Sequence, residues 1–261
     1  MKTHKKIFSV LVFAVFAVGV SGCCHVPQRV ELRAPSVLPN TTRAMKTAGF
    51  WISKTADPDK IILTAQEIDA LNAQTQDQKG IEDIARLETP GKGKDVAESI
   101  GGLLDSVRKR PLFTASEKKA DAEFFAPVIE SMDLKAIPKH VDARYGLVVH
   151  YADQRVVPTM DALYAEKNDV DFDELQNSGL DVGTVIAVLH ESRDGQWLYG
   201  KTGLSGGWVR AQDVAFAGLE DVKRYAARDR IVVVIAPKAD IFLNAELTEY
   251  YDYVRMGVVL P

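Results

Sequence analysis

Residues 190–215 read HESRDGQWLYGKTGLSGGWVRAQDVA. Asp194-Gly195 is a hairpin turn signal, because glycine accepts the positive φ that a tight two-residue turn demands. It is followed by QWLYGK (196–201), a second turn from Gly203 to Gly207, and then GWVR (207–210). AQDVAFA (211–217) reads as a short helical turn and a closing strand. Upstream, RYGLVVHY (144–151) and TVIAVLHE (184–191) are apolar, β-rich runs, separated by a long loop over 152–183. Short strands with turn signals about every 8–12 residues predict a small β-barrel. Along 196–201 the strand period of two puts Trp197 and Tyr199 on one face and Leu198 on the other.

Beyond the barrel, LEDVKRYAARDR (219–230) predicts a short connecting helix whose Glu220 and Asp221 suit its N-terminal end. RIVVVIA (230–236), ADIFLN (239–244) and YVRMGVVLP (253–261) then read as three strands. A closed barrel takes about five strands, so this second unit either leans on the first barrel or is partial. Before the barrel the period is helical. Thr64-Ala65-Gln66-Glu67 is a capping box, in which hydroxyl and carboxylate satisfy each other's free backbone N–H groups. Ala65, Ile68 and Leu71 follow on one face. GIEDIARL (80–87) and DVAESIGGLLDSVRK (95–109) continue the pattern, and the cationic run 108–110 with Pro111 marks a helix end. Thr114-Ala115-Ser116-Glu117 reads as a second capping box opening a helix to about Met132, with Ala120, Phe124 and Val128 inward and Phe125 beside them. The class is therefore α+β: an N-terminal helical domain followed by small barrels, the second incomplete.

The first 22 residues stand apart. Lys2, Lys5 and Lys6 precede a 14-residue apolar run, Ile7 to Val20, which is short for a membrane span. Val20-Ser21-Gly22-Cys23 resembles a lipobox, so Cys23 is the expected lipidation site. Residue 24 is not Asp, which points to an outer-membrane anchor with the body in the periplasm. Residues 23–56, with Pro27, Pro35 and Pro39, read as a tether ending in an apolar Phe50-Trp51-Ile52 that tucks back onto the body. Losing residues 1–22, which hold three lysines and no acid, takes the formal charge from −4 to −7. That balance disfavours nucleic acid as a partner. The only cysteines are Cys23 and Cys24, so no later residue can act as a thiol nucleophile or thiolate ligand.

Taken in order, several blocks resemble the non-catalytic half of NlpC-type cell-wall cysteine peptidase lipoproteins with paired bacterial SH3 domains. DPDKIILTAQEIDALNAQ (57–74) is similar to their N-terminal stabilising domain, and RYGLVVHYADQRVVPT (144–159) to the opening of the first SH3 domain. GTVIAVLHESRDGQWLYG (183–200) with GGWVRAQDVA (206–215) resembles its distal hairpin and closing segment. DRIVVVIAPKADIF (229–242) and VRMGVVLP (254–261) resemble the second SH3 domain. The resemblance implies these boundaries: signal peptide 1–22, tether 23–56, helical domain 57–137, first SH3 domain 138–219, and partial second SH3 domain 228–261. In such enzymes the Cys nucleophile and its His base follow the second SH3 domain. This sequence lacks that cysteine.

Two functions follow as expectations. The chain is an envelope lipoprotein that binds or positions peptidoglycan stem peptides or a partner hydrolase without catalysing. Alternatively, it is the front of a truncated or split γ-D-glutamyl-L-diamino-acid endopeptidase. Trp197 and Trp208, on adjacent strands, either floor a peptide or sugar site or fill the barrel core; Tyr199 shares the face of Trp197. Tyr145, Asp153, Arg155 and Thr159 flank the expected groove. By resemblance, that region selects muropeptides with a free N-terminus, and Asp153 is a candidate partner for the ammonium, while Arg155 rather braces the loop. No cofactor or metal is expected. His140, His150 and His190 lack ligand spacing, and the alternating Asp169, Asp171 and Asp173 with Glu174 lack the glycine and distal glutamate of a calcium loop, leaving a solvated segment.

Overall fold

The computed structural model describes residues 39–76, Ile84, 91–227 and 230–261. The leader, Cys23 with the tether as far as residue 38, and the helix expected over 80–87 except Ile84 lie outside the described residues. The chain forms two compact units, Met1–Ile62 and Leu63–Pro261. In the first, Phe50-Trp51-Ile52 lies in a short helix α1 (Ala48–Ile52), capped by Thr47, whose hydroxyl accepts from Phe50 N. The Trp51 indole N–H donates to Met45 O, yet Trp51 stays 59% exposed.

The second unit opens with α2 (Ala65–Gln76). The capping box forms: Thr64 N donates to Glu67 Oε2 at 2.7 Å, and Glu67 N to Thr64 Oγ1 at 3.3 Å. The apolar face of Ala65, Ile68 and Leu71 is exposed. The 16-residue α3 (Gly93–Arg108) is amphipathic, burying Val96, Ile100, Leu104 and Val107. The second capping box does not form. Glu117 takes a positive φ (62°), Glu117 N donates to Thr114 O, and Thr114 N donates to Lys118 O. Residues 114–118 are thus a turn returning the chain for the Phe113–Lys119 bridge. Helix α4 (Ala122–Met132) starts eight residues after Thr114, capped by Asp121, which accepts from Glu123 N. A local hydroxyl–carboxylate pattern fits turns as well as caps, and pairing to Phe113 and Tyr164 selects the turn.

The barrel follows. β1 (Gly91–Lys92) pairs β2 (His140–Val141) before α3 and after α4. The main sheet holds β3 (Arg144–Val148), β4 (Ala152–Arg155), β5 (Gln176–Leu180), β6 (Val185–Glu191), β7 (Trp197–Lys201), β8 (Gly206–Arg210) and β9 (Val214–Phe216). Its order is β5-β4-β8-β7-β6-β3-β9, and every neighbouring pair is antiparallel. The expected loop over 152–183 therefore contains two strands, β4 and β5. Their sequences ADQR and QNSGL are too polar to signal β by hydrophobicity. Gly195 turns the β6–β7 hairpin at φ 68°. Gly207 instead permits a close approach. A Cβ there would stand 2.7 Å from Arg155 O, so only glycine lets β8 cross β4.

The sheet is buried on both faces. Val148, Ala152, Leu180, Ile186, Val188, Leu198, Val209 and Val214 fill the barrel interior. On the other face, Trp197, Tyr199 and Trp208 join α3, α4 and Leu163 in one core with Ile100, Leu112 and Met132. The period of two is obeyed, with Leu198 inward and its neighbours outward.

Helix α5 (Leu219–Ala226) leads to four strands: β10 (Val232–Val233), β11 (Lys238–Phe242), β12 (Tyr250–Arg255) and β13 (Val259–Leu260). β11 pairs β12 and β10 pairs β13. The single strand expected over 253–261 is two, split at Gly257 with φ 89°. These strands lean on the barrel. Tyr251 Oη donates to Val149 O at 2.6 Å, Tyr151 N donates to Asp252 Oδ2 at 2.8 Å, and Arg255 grips Asp181 at 2.6 Å.

Candidate functional site

The residues singled out from the sequence go to four places. Trp197, Tyr199 and Trp208 are buried, at 8%, 2% and 0% exposed. Both tryptophans are core, but outside the barrel and beneath the helices, where they are covered by Met132, Phe125 and their neighbours. The rings meet edge-on: Tyr199 stands 5.6 Å from Trp208, and His190 stands 6.0 Å from it. The His190 Nε2–H donates to Met132 O at 2.8 Å, tying the end of α4 to β6. Tyr145 packs with Ala187 and Val222 in a small separate cluster.

Arg155 is the loop brace, 3% exposed. Its Nε donates to Thr159 O at 3.0 Å and its Nη2 to Asp161 O at 2.7 Å. Its Nη1 meets Asp173 Oδ2 at 2.5 Å. Asp173 Oδ1 in turn accepts from Leu163 N and Leu175 N. The segment expected to be a solvated acidic loop thus supplies the counter-ion that closes the long β4–β5 excursion. Glu174 pairs Arg110 at 2.7 Å, and that guanidinium holds its carboxyl below the usual range.

Asp153 lies elsewhere, where it accepts from Gln176 Nε2 at 2.9 Å. Near it the barrel meets the C-terminal strands. Tyr151 stacks on Tyr253 with ring centroids 5.2 Å apart, and the Arg255 guanidinium sits 5.2 Å from the Tyr151 centroid. Burial pushes the Tyr151 phenol up and the Asp213 carboxyl up, the latter against a Gln212 hydrogen bond and the charges of Arg210 and His150. The aromatic and charged groups of this seam join two elements to each other.

A groove lies open at the barrel's border between α3 and β7. One cavity of about 190 Å³ is lined by Lys92, Asp95, Ser99, Tyr199 and Lys201. A second, of about 330 Å³, is lined by Leu103, Asn177, Lys201 and Thr202. Lys201 belongs to both. Asp95, Ser99 and Leu103 recur every fourth residue, one stripe of α3 beside its buried Val96-Ile100-Leu104 stripe. Cations, one carboxylate, hydroxyls and an amide in one groove suit a zwitterionic, hydrogen-bonding chain such as a short peptide. Of these residues sequence reasoning singled out Tyr199 alone; for Asp95 and Ser99 the signal was two polar positions beside the apolar stripe. Among the described residues no group of three or more His, Cys, Asp or Glu is placed to hold a metal ion, and no helix is long and apolar enough to cross a membrane.

Residues 159–210 match the family described as SH3 domain, SH3b1 type. No curated protein matches the chain. Among solved structures, the chain is similar to one described as a novel NlpC/P60 endopeptidase from Photobacterium damselae subsp. piscicida, with a TM-score of 0.60 and 23% identity. The match covers 78% of this chain and 48% of that one, so this chain spans about half the length of that relative. At this identity the likeness is one of fold. Family match and fold agree on an SH3-type barrel.

Proposed function

We propose that the protein is an envelope lipoprotein, lipidated on Cys23 and facing the periplasm, that holds peptidoglycan stem peptides in position along the α3–β7 groove. The observation that carries the reading is the closed aromatic face. Where a small barrel would expose its rings to a ligand, α3 and α4 cover them, and a mixed-charge groove centred on Lys201 runs beside them. A partner hydrolase is the other occupant this groove suits. In this reading the role is to hold and aim the peptide. Purified protein is expected to be retained on sacculi and to bind synthetic stem peptides, and Lys201→Ala weakens that binding. Failure of sacculi, stem peptides and hydrolases alike to bind would defeat it.

A second reading makes these residues the front of an NlpC-type endopeptidase. It is favoured by the span of this chain, about half the endopeptidase it superposes on. Reading the coding DNA after codon 261 decides it: a cysteine-containing α+β domain in or near frame supports this reading, and unrelated sequence removes it.

A further inference from the structure

A second concave site lies away from the groove, between the C-terminal end of α3 and one face of α4. It is a cavity of about 620 Å³, within the range of small-ligand sites. Arg108, Lys109 and Lys119 form a cationic side, while Phe125, Ala126 and Ile129 of α4 form an apolar wall. Nothing in the proposed function uses it.

The charge in this pocket is incompletely cancelled. Arg108 and Lys109 both reach one carboxylate, Asp105, at 2.9 and 2.8 Å. The Lys109 ammonium holds that carboxyl below its usual range, so Asp105 stays ionised. Arg110 is matched by Glu174 at 2.7 Å. Among the described residues Lys119 has no carboxylate within ion-pair distance, and Asp121 also lines the cavity. Four cations against Asp105, Glu174 and Asp121 leave one positive charge. That excess matches a monoanion better than a phosphate dianion. Arg108, Lys109 and Arg110 each already hold a carboxylate through one nitrogen, which leaves the Lys119 ammonium, a point charge rather than the planar fork that phosphate recognition favours. The apolar wall asks for a small aliphatic body beside the anion.

We infer that this pocket takes the free C-terminal carboxylate of a short alanine-ended peptide, with the carboxylate against Lys119 and the methyl group against Ala126 and Ile129. It rests on the stem-peptide reading and adds the chemical group that is gripped and a second place where it is gripped.

The test titrates the full chain with a stem tetrapeptide ending in D-alanine, with the same peptide as its C-terminal amide, and with Lys119→Glu in place of the native protein. Lys119 is exposed, and circular dichroism verifies that the variant keeps its fold. The native protein is expected to prefer the acid to the amide by about tenfold, the size of one charge-assisted contact. Lys119→Glu abolishes that preference, and added salt narrows it in the native protein. Equal binding of acid and amide, or a variant that keeps the preference, overturns the pocket while leaving the groove reading intact. No binding of any stem peptide overturns both. Retention on vesicles of phosphatidylglycerol and phosphatidylethanolamine that Lys119→Glu loses, without acid–amide discrimination, also overturns it and reassigns the pocket to an anionic membrane.

Discussion

The helix-covered barrel and the C-terminal four strands use similar residues to opposite ends. In the barrel, three aromatic rings at 197, 199 and 208 are sealed under α3 and α4, and the same sheet is filled on its other face. In the C-terminal strands, half-buried Tyr253 of β12 stacks on Tyr151 of the barrel, beside the Arg255 guanidinium. There Val232, Val233, Ile235 and Met256 remain exposed, Ile235 at 85%. Covering decides the role: a strand with a helix over it contributes core, and a strand with only a polar seam contributes a joint. Stability should accordingly be concentrated in the first region, with the second opening at lower cost.

That contrast can be broken most directly at Trp208. Trp208→Ala is expected to cost about 4 kcal/mol in urea unfolding, the range for truncating a buried aromatic ring, whereas Tyr253→Ala should cost about 1 kcal/mol as a half-buried stacked pair. Equal losses would erase the distinction. Trp208→Phe adds resolution. Among the described residues the buried Trp208 indole N–H has no hydrogen-bond partner, so the smaller ring recovers part of the cavity cost by removing that group.

Arg155→Ala comes next, at about 3 kcal/mol, because it leaves Asp173 partly buried without its cation. Arg155→Lys should recover little, since one ammonium cannot serve Thr159 O, Asp161 O and Asp173 together. Increased protease cleavage within 159–174 would verify that the brace holds the loop. Smaller still is Arg255→Ala, about 1 kcal/mol for a half-exposed pair with Asp181. Its signature is local: faster amide exchange over 238–255 with barrel amides unchanged. Uniform acceleration would mean that the two regions open together.

The smallest expected effect is on pH. Burial raises the folded Asp213 carboxyl above its unfolded value. Below the unfolded value both states carry the proton and the site is neutral to stability. As pH rises through the folded value, ionising the partly buried group costs stability that the unfolded chain does not lose. Asp213→Asn should therefore raise Tm slightly at neutral pH and leave it unchanged in acid, as read by scanning calorimetry across that window.

Much of the barrel was legible because its strong strands alternate and its turns carry glycine: β6, β7, β8 and the Ala211–Asp213 turn fall where the sequence put them. β4 and β5 were not, since ADQR and QNSGL hold few apolar residues and owe their strand state to pairing. Thr114–Glu117 misled because cap and turn share one local chemistry. The site was less legible than the fold. Strand period correctly grouped Trp197 with Tyr199, but no single-strand pattern says that a helix about 100 residues upstream will cover them. Asp173 looked solvated because its partner, Arg155, lies 18 residues away.

The proposal that most needs testing is that this chain holds cell-wall peptide without cutting it. One measurement tests it: a calorimetric titration of the purified full chain with stem tetrapeptide, with the recovered peptide weighed by mass spectrometry. The account predicts saturable binding, weakened by Lys201→Ala, with the peptide returned whole. Cleaved peptide, or no heat of binding at any concentration, would contradict it.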